Sequence, residues 1–217
     1  MTEPMESWRL VQLQSISTRS KVARTERKIR EWYEHWEGDV YVSLSGRDSA
    51  VLLDIVRSLF PRTPAVYCDT GLEYPEVRDY IKTVPNTVWL KPEMNFRKVL
   101  EKYGYPVVSK EVSQKIWECR NTKSEKLRHK RMVGDDNKFR SGKIPEKWKY
   151  LLDAPFAISH KCCDIMKKRP ASKYERKTGR KGMVGTMTDD SLFRKQSYLR
   201  YSCNAYDMKR PRSAPRS

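Results

Sequence analysis

Val40-Tyr41-Val42-Ser43-Leu44-Ser45-Gly46-Arg47-Asp48-Ser49-Ala50-Val51-Leu52-Leu53 reads as a buried strand, a small-residue turn and then a helix. Val40 to Leu44 is apolar and β-branched, with one small polar residue. Ser45-Gly46 can turn sharply, since glycine tolerates backbone angles that other residues avoid. Asp48 or Ser49 suits a helix start, and Ala50 to Leu59 carries an apolar face onward. A turn of this kind aims backbone N–H groups and hydroxyls at one spot before a helix N-terminus. That spot suits an anion, most naturally a phosphate. Ser43, Ser45, Gly46, Arg47, Asp48 and Ser49 are its candidate binding residues.

Working outward, 217 residues with 38% hydrophobic side chains suit one α/β domain with attachments. No apolar run approaches the roughly 18 residues that span a bilayer. Met1 to Ser20 is polar and lacks the apolar core of a signal peptide, so a cytoplasmic location and no membrane partner are expected. Lys and Arg total 45 against 27 Asp and Glu, a net charge of +18. Such an excess attracts polyanions, and a nucleic-acid partner stands beside the simpler reading of a basic surface that meets only a small nucleotide. The oligomeric state is not legible.

Residues 1–37 read as an N-terminal helical segment that Gly38 stops. Residues 38–208 read as a nucleotide-binding α/β domain. Strands at 64–68 and 87–90 alternate with helices at 74–82, 95–103 and 110–126, which implies a parallel sheet covered on both faces. Residues 121–147 are rich in Lys, Arg, Asn and Ser and read as a mobile or partly helical insertion. A helix over 164–177 disturbed by Pro170, a strand at 182–185 and a helix over 189–201 come next. Residues 209–217 form a basic, proline-rich tail expected to be disordered.

Asp69-Thr70-Gly71-Leu72-Glu73-Tyr74-Pro75-Glu76 lies after the second strand, at the edge where open parallel sheets bind ligands. Asp69, Thr70, Gly71 and Glu76 are further candidates there. Gly185 and Thr186 begin a small-residue turn that leads to Arg194 and Lys195, cations able to neutralise a phosphate or sulfate. Asp48 and Asp69 are the candidate catalytic carboxylates.

The five cysteines are Cys68, Cys119, Cys162, Cys163 and Cys203, an odd count that argues against a disulfide framework. Cys68 ends an apolar strand and reads as a small buried hydrophobe. Cys162 and Cys163 are adjacent within His-Lys-Cys-Cys-Asp-Ile-Met-Lys-Lys-Arg-Pro, where the basic neighbours favour thiolates. They are candidate catalytic thiols or metal ligands, with reduced structural thiols as the alternative. A four-cysteine cluster would require Cys119, Cys162, Cys163 and Cys203 to converge.

Ser-Leu-Ser-Gly-Arg-Asp-Ser resembles the pyrophosphate-binding loop (PP-loop) of the adenine-nucleotide α-hydrolase superfamily, with Arg47 where a lysine is common and one glycine fewer. With Asp-Thr-Gly-Leu-Glu-Tyr-Pro-Glu, Lys-Cys-Cys-Asp-Ile-Met-Lys-Lys-Arg-Pro and Cys-Asn-Ala-Tyr-Asp-Met-Lys-Arg-Pro, it makes the chain similar to phosphoadenosine phosphosulfate reductase family proteins of the phage and anaerobe type. The resemblance implies a Rossmann-like, mostly parallel α/β sheet and an adenine nucleotide, either ATP or phosphoadenosine phosphosulfate. It implies that Arg194 holds the anionic end of the substrate, and that Cys162, Cys163 and Cys203 are candidate ligands of a [4Fe–4S] cluster; Tyr206 stands where the family's Cys-x-x-Cys has its second cysteine, and Cys119 is the candidate fourth ligand. A thioredoxin-like electron donor goes with a reductase. No cysteine follows Cys203, whereas true reductases carry a C-terminal Glu-Cys-Gly-Leu-His.

The resemblance is compatible with three functions. The first is sulfur transfer or sulfonucleotide reduction, in which Asp69 and Glu76 help position the nucleotide. The second is an ATP pyrophosphatase that adenylates nucleic acid for sulfur insertion. The third is a nucleotide- or nucleic-acid-binding protein without catalysis.

Overall fold

The computed structural model describes residues 6–134, 142–208 and 210–216, which form two compact units. The first unit contains residues 1–69, 73–90 and 171–217; the second contains 70–72 and 91–170.

The first unit is a six-stranded sheet with helices. Helix α1 spans Ser7–Ser15 and α2 Thr18–His35, with Ser17 capping α2 by accepting from Ser20 N. Strand β1 (Val40–Leu44), α3 (Arg47–Leu59), β2 (Ala65–Cys68), α4 (Pro75–Thr83) and β3 (Thr87–Leu90) follow. Then come α8 (Arg169–Thr178), β4 (Lys181–Val184), α9 (Leu192–Tyr201), β5 (Asn204–Ala205) and β6 (Arg212–Ser213). Strand order is β3-β2-β1-β4-β6-β5, all parallel except the β5–β6 pair. In register, Ser43 of β1 stands between Val66 of β2 and Val184 of β4. A central strand is covered on both faces, which is why β1 is apolar almost throughout. Val40, Val42 and Leu44 are buried with Leu52, Val56, Met183 and the α2 residues Ile29 and Trp32.

The tail differs from the expected disorder. Residues 212–213 add a strand to β4, and Ala214 N donates to Cys203 O over 2.8 Å. Buried Ser213 donates its Oγ to Asn204 Oδ1, and Asn204 Nδ2 donates to Lys28 O. A satisfied buried polar pair holds this segment, and composition does not record such a pair.

The second unit contains α5 (Phe96–Tyr103), α6 (Lys110–Asn121) and α7 (Glu125–Met132), a 3₁₀ segment at Glu146–Asp153 and a π-helical turn at Asp164–Lys168. Asn95 caps α5 by accepting from Lys98 N. Gly104 ends it at φ +99°, where a Cβ would stand 2.4 Å from Ala157 O. The expected helix over 110–126 stops at Asn121. Within the basic segment 121–147, Arg131 of α7 pairs with Glu118, and Ile144 N donates to Arg131 O. Ile144 is fully buried, which anchors the far end of that segment; residues 135–141 lie outside the described ones. The expected helix over 164–177 is the π-helical turn followed by α8, because Pro170 has no N–H to continue an α-helical ladder. The expected helix over 189–201 is a 3₁₀ turn at Thr188–Asp190 and then α9, capped by Ser191.

Candidate functional site

The parallel register brings the C-terminal ends of β2, β1 and β4 side by side, so that Asp69, Ser45 and Gly185 follow neighbouring strand ends. Open parallel sheets bind ligands at this edge. A cleft of about 290 Å³ lies there, lined by Ser43, residues 45–49, residues 184–186, Asp190 and Arg194.

The loop's internal hydrogen bonds assign each residue a task. Ser49 is buried, and its Oγ accepts from Ser45 N over 2.8 Å and from Gly46 N over 3.0 Å. It donates to Gly46 O over 2.7 Å. The Ser49 hydroxyl therefore shapes the turn, and its proton is committed within the loop rather than offered to an anion. Gly46 has φ 171° and ψ −167°, extended backbone open to any residue, and nothing lies within 4 Å of a Cβ there. The turn does not depend on glycine's freedom at position 46. The glycine that the geometry requires is Gly185, where a Cβ would meet Ser49 N at 2.7 Å and Asp48 O at 2.8 Å. Gly185 lets the end of β4 press against the start of α3. The first-turn N–H groups of α3 lack partners inside the helix, and the residues of that turn line the cleft at the positive end of the helix dipole.

Two carboxylates stand by that dipole, and each has a cation. Asp190 Oδ2 accepts from Met187 N and pairs with Arg194. Arg216 donates to Asp48 O over 2.7 Å, and its guanidinium is 3.6 Å from the Asp48 carboxylate. Arg47 and Asp48 are exposed, while Thr186 lines the cleft half-buried.

Asp69 is buried at the end of β2. Its Oδ2 accepts from Arg78 over 2.9 Å, whereas its Oδ1 is buried without a partner. Arg78 lies 6.0 Å from the Trp89 ring, which steadies the pair. A carboxylate neutralised on one oxygen and bare on the other can accept from a ligand hydroxyl or amine. On β2, burial above all, and then Glu73 and Asp69, push the Tyr67 hydroxyl up to about 12, so it stays protonated. Glu76 is exposed in the first turn of α4. Thr70 and Gly71 belong to the second unit, where Thr70 Oγ1 accepts from Leu72 N and Gly71 has φ +73°.

Arg78 and Arg216 were not legible as site residues. Arg78 follows Asp69 by nine residues on an exposed helix face, and Arg216 sits in a tail whose composition signals disorder. Only the pairing of β6 with β4 brings Arg216 to the loop.

Within the second unit, Cys119 and Cys162 pack in separate clusters, and Cys203 belongs to the first unit. Among the described residues, no three His, Cys, Asp or Glu side chains gather where they could hold a metal ion. Cys119 is buried among Val112, Ile116 and Ile158, and Cys203 among Leu10 and Tyr198. The structure thus gives no support to a [4Fe–4S] cluster on Cys119, Cys162, Cys163 and Cys203, which needs four sulfurs around one point. Cys119 sits in an apolar cluster, whereas Cys203 also meets Arg24 and the Tyr198 hydroxyl. Cys162 is half-buried beside Met166 and Val99, and Cys163 is exposed. Burial first, and then Cys163, raise the Cys162 thiol, so desolvation outweighs its lysine neighbours. Cys68 is half-buried rather than fully enclosed. Iodoacetamide at pH 8 should therefore modify Cys163 before Cys162, as read by peptide mass spectrometry; the reverse order would contradict this placement.

Among the described residues, no helix is long and apolar enough to cross a membrane. No curated protein matches the chain. Among solved structures, the crystal structure of phosphoadenylyl-sulfate (PAPS) reductase from Candida auris in its phosphate complex is similar at 14% identity and a TM-score of 0.39. That alignment covers 79% of this chain and 69% of the other. The family model of the phosphoadenosine phosphosulfate reductase domain matches residues 39–201, from the start of β1 to the end of α9. The chain therefore belongs to the phosphoadenosine phosphosulfate reductase family.

Proposed function

We propose that this protein is an enzyme acting on an adenine sulfonucleotide, phosphoadenosine phosphosulfate, whose anionic end lies in the cleft before α3. The observation that carries this reading is the cleft itself. Gly185 seats the end of β4 against the α3 N-terminus, and Arg194 closes the far wall. Main-chain donors, a helix dipole and one guanidinium suit a phosphate or sulfate. Asp69, held by Arg78, would accept from the nucleoside part.

Reduction needs a thiolate that attacks the sulfate sulfur, forms a cysteine thiosulfonate and expels adenosine 3′,5′-bisphosphate. A thioredoxin-like dithiol protein then displaces sulfite and is left as a disulfide.

The test is product analysis with phosphoadenosine phosphosulfate, ATP and a reduced dithiol protein. Adenosine 3′,5′-bisphosphate with sulfite is expected. AMP with pyrophosphate would instead identify an ATP pyrophosphatase, and binding without turnover a nucleotide-binding protein. Arg194→Gln should weaken nucleotide binding roughly ten- to a hundredfold, because a charge-assisted bond of about 1.5–3 kcal/mol is lost and Asp190 is left facing the anion. An unchanged calorimetric Kd in the folded variant would remove Arg194 from the site.

A further inference from the structure

The first unit carries a second basic surface, at the opposite end of the sheet from the nucleotide cleft. Lys181 opens β4 and Gly185 follows it, so the two ends are about 13 Å apart along the strand. At the Lys181 end lies a cleft of about 280 Å³ lined by Ser172, Glu175, Arg176, Lys181, Arg210 and Pro211. Arg210 donates to Ser172 Oγ over 2.6 Å, and Lys181 lies 5.1 Å from the Trp36 ring.

Helix α8 continues this surface. Its inner face is fixed by Tyr174, whose ring meets Tyr41 edge-on. The one carboxylate of the stretch, Glu175, accepts from the Tyr41 hydroxyl over 2.9 Å and so is turned toward the sheet. Lys173, Arg176 and Lys177 are left exposed, and Arg180 follows. Among the described residues, no carboxylate forms an ion pair with Lys173, Arg176, Lys177, Arg180, Lys181 or Arg210. Positions 173 and 176/177 are one helical turn apart, about 5.4 Å, while Arg180 lies beyond the helix end, after Gly179 at φ +76°, and donates to the Tyr174 hydroxyl over 3.3 Å. A cluster of cations without carboxylate ion-pair partners, in a protein of net charge +18, suits the phosphates of a polyanion. Exposed large apolar side chains are missing from α8 and its flanking loop among the described residues, so the face lacks the anchors of a membrane-inserting helix.

We infer that α8 and the Arg176–Lys181–Arg210 cleft form a docking surface for the phosphodiester backbone of a double-helical nucleic acid. The contacts are to phosphate alone, so binding is independent of base sequence.

The test is fluorescence anisotropy with labelled 20-base-pair duplexes, one DNA and one RNA, over a salt series. Lys173→Gln, Arg176→Gln and Lys177→Gln together replace three exposed side chains that pack no core. For DNA, the triple variant should bind at least tenfold more weakly at 0.1 M salt, and its plot of log affinity against log salt should flatten by roughly 2 to 3. Its affinity for adenine nucleotide should not change. An unchanged salt slope overturns the inference, as does failure of the parent protein to bind either duplex. An equal loss of nucleotide affinity overturns it too, since the two surfaces would then not be separate. If the parent protein binds duplex but no nucleotide, the functional reading of the other cleft fails and this one stands.

Discussion

Alanine at position 185 should nearly abolish anion binding, lowering nucleotide affinity more than about a hundredfold. The added methyl would sit 2.7 Å from Ser49 N and 2.8 Å from the Asp48 carbonyl carbon and oxygen. These are main-chain atoms, so no side chain can rotate away to make room. Either β4 or the first turn of α3 must move, and both movements displace the N–H groups at the cleft. Overpacking of this kind costs about 1–3 kcal/mol in stability. Loss of two or more aligned charge-assisted bonds, each about 1.5–3 kcal/mol, sets the larger effect on affinity. Gly185 does not occupy a left-handed conformation, so the backbone angles are open to alanine and the effect is steric. Calorimetry with ATP or phosphoadenosine phosphosulfate, beside a thermal melt, measures both. An affinity within about threefold of the parent protein would show that the α3 N-terminus is not the anion site.

Ser49→Ala should destabilise the fold and loosen the loop together. The lost oxygen accepts from two main-chain N–H groups and donates to one carbonyl, and the residue is only 4% exposed. Removing such a hub costs about 2 kcal/mol, or about 4–8 °C in Tm for a chain of this size. Affinity should fall at least tenfold, because Ser45 and Gly46 lose the bonds that hold them against the helix. Ser49→Thr keeps the oxygen and should recover part of both losses. A Ser49→Ala protein with unchanged Tm would show that the three bonds do not hold the turn.

The central elements were legible because each is governed by local pattern. Val40 to Leu44 and Ala65 to Cys68 are short apolar runs bounded by turn residues, as strands buried on both faces must be. The stop at Gly38 is likewise written in neighbouring residues. The two short strands β5 and β6 were not legible, since two residues carry no periodicity, and the charge of 209–217 masked the Asn204–Ser213 pair. The cysteines show the same limit from the other side. Four thiols in a suggestive order say nothing of where they meet: Cys119 packs in an apolar cluster of the second unit, and Cys203 packs against Leu10, Tyr198 and Arg24 in the first.

At the site, the sequence by itself determined which segments meet. The β1–turn–α3 unit, the Asp69 turn and the Gly185–Arg194 stretch each succeed a parallel strand, and strands that run parallel deliver their outgoing turns to one edge of the sheet. Tertiary structure decided what each residue does there. It gave the close-approach role to Gly185 rather than Gly46, bound the Ser49 hydroxyl into the loop, set Arg216 against Asp48 and left Asp69 half-paired by Arg78. The physical reason is range. Helix and strand preferences act over a few residues, whereas a steric contact of 2.7 Å or an ion pair of 2.9 Å depends on chain segments that only the folded sheet brings together.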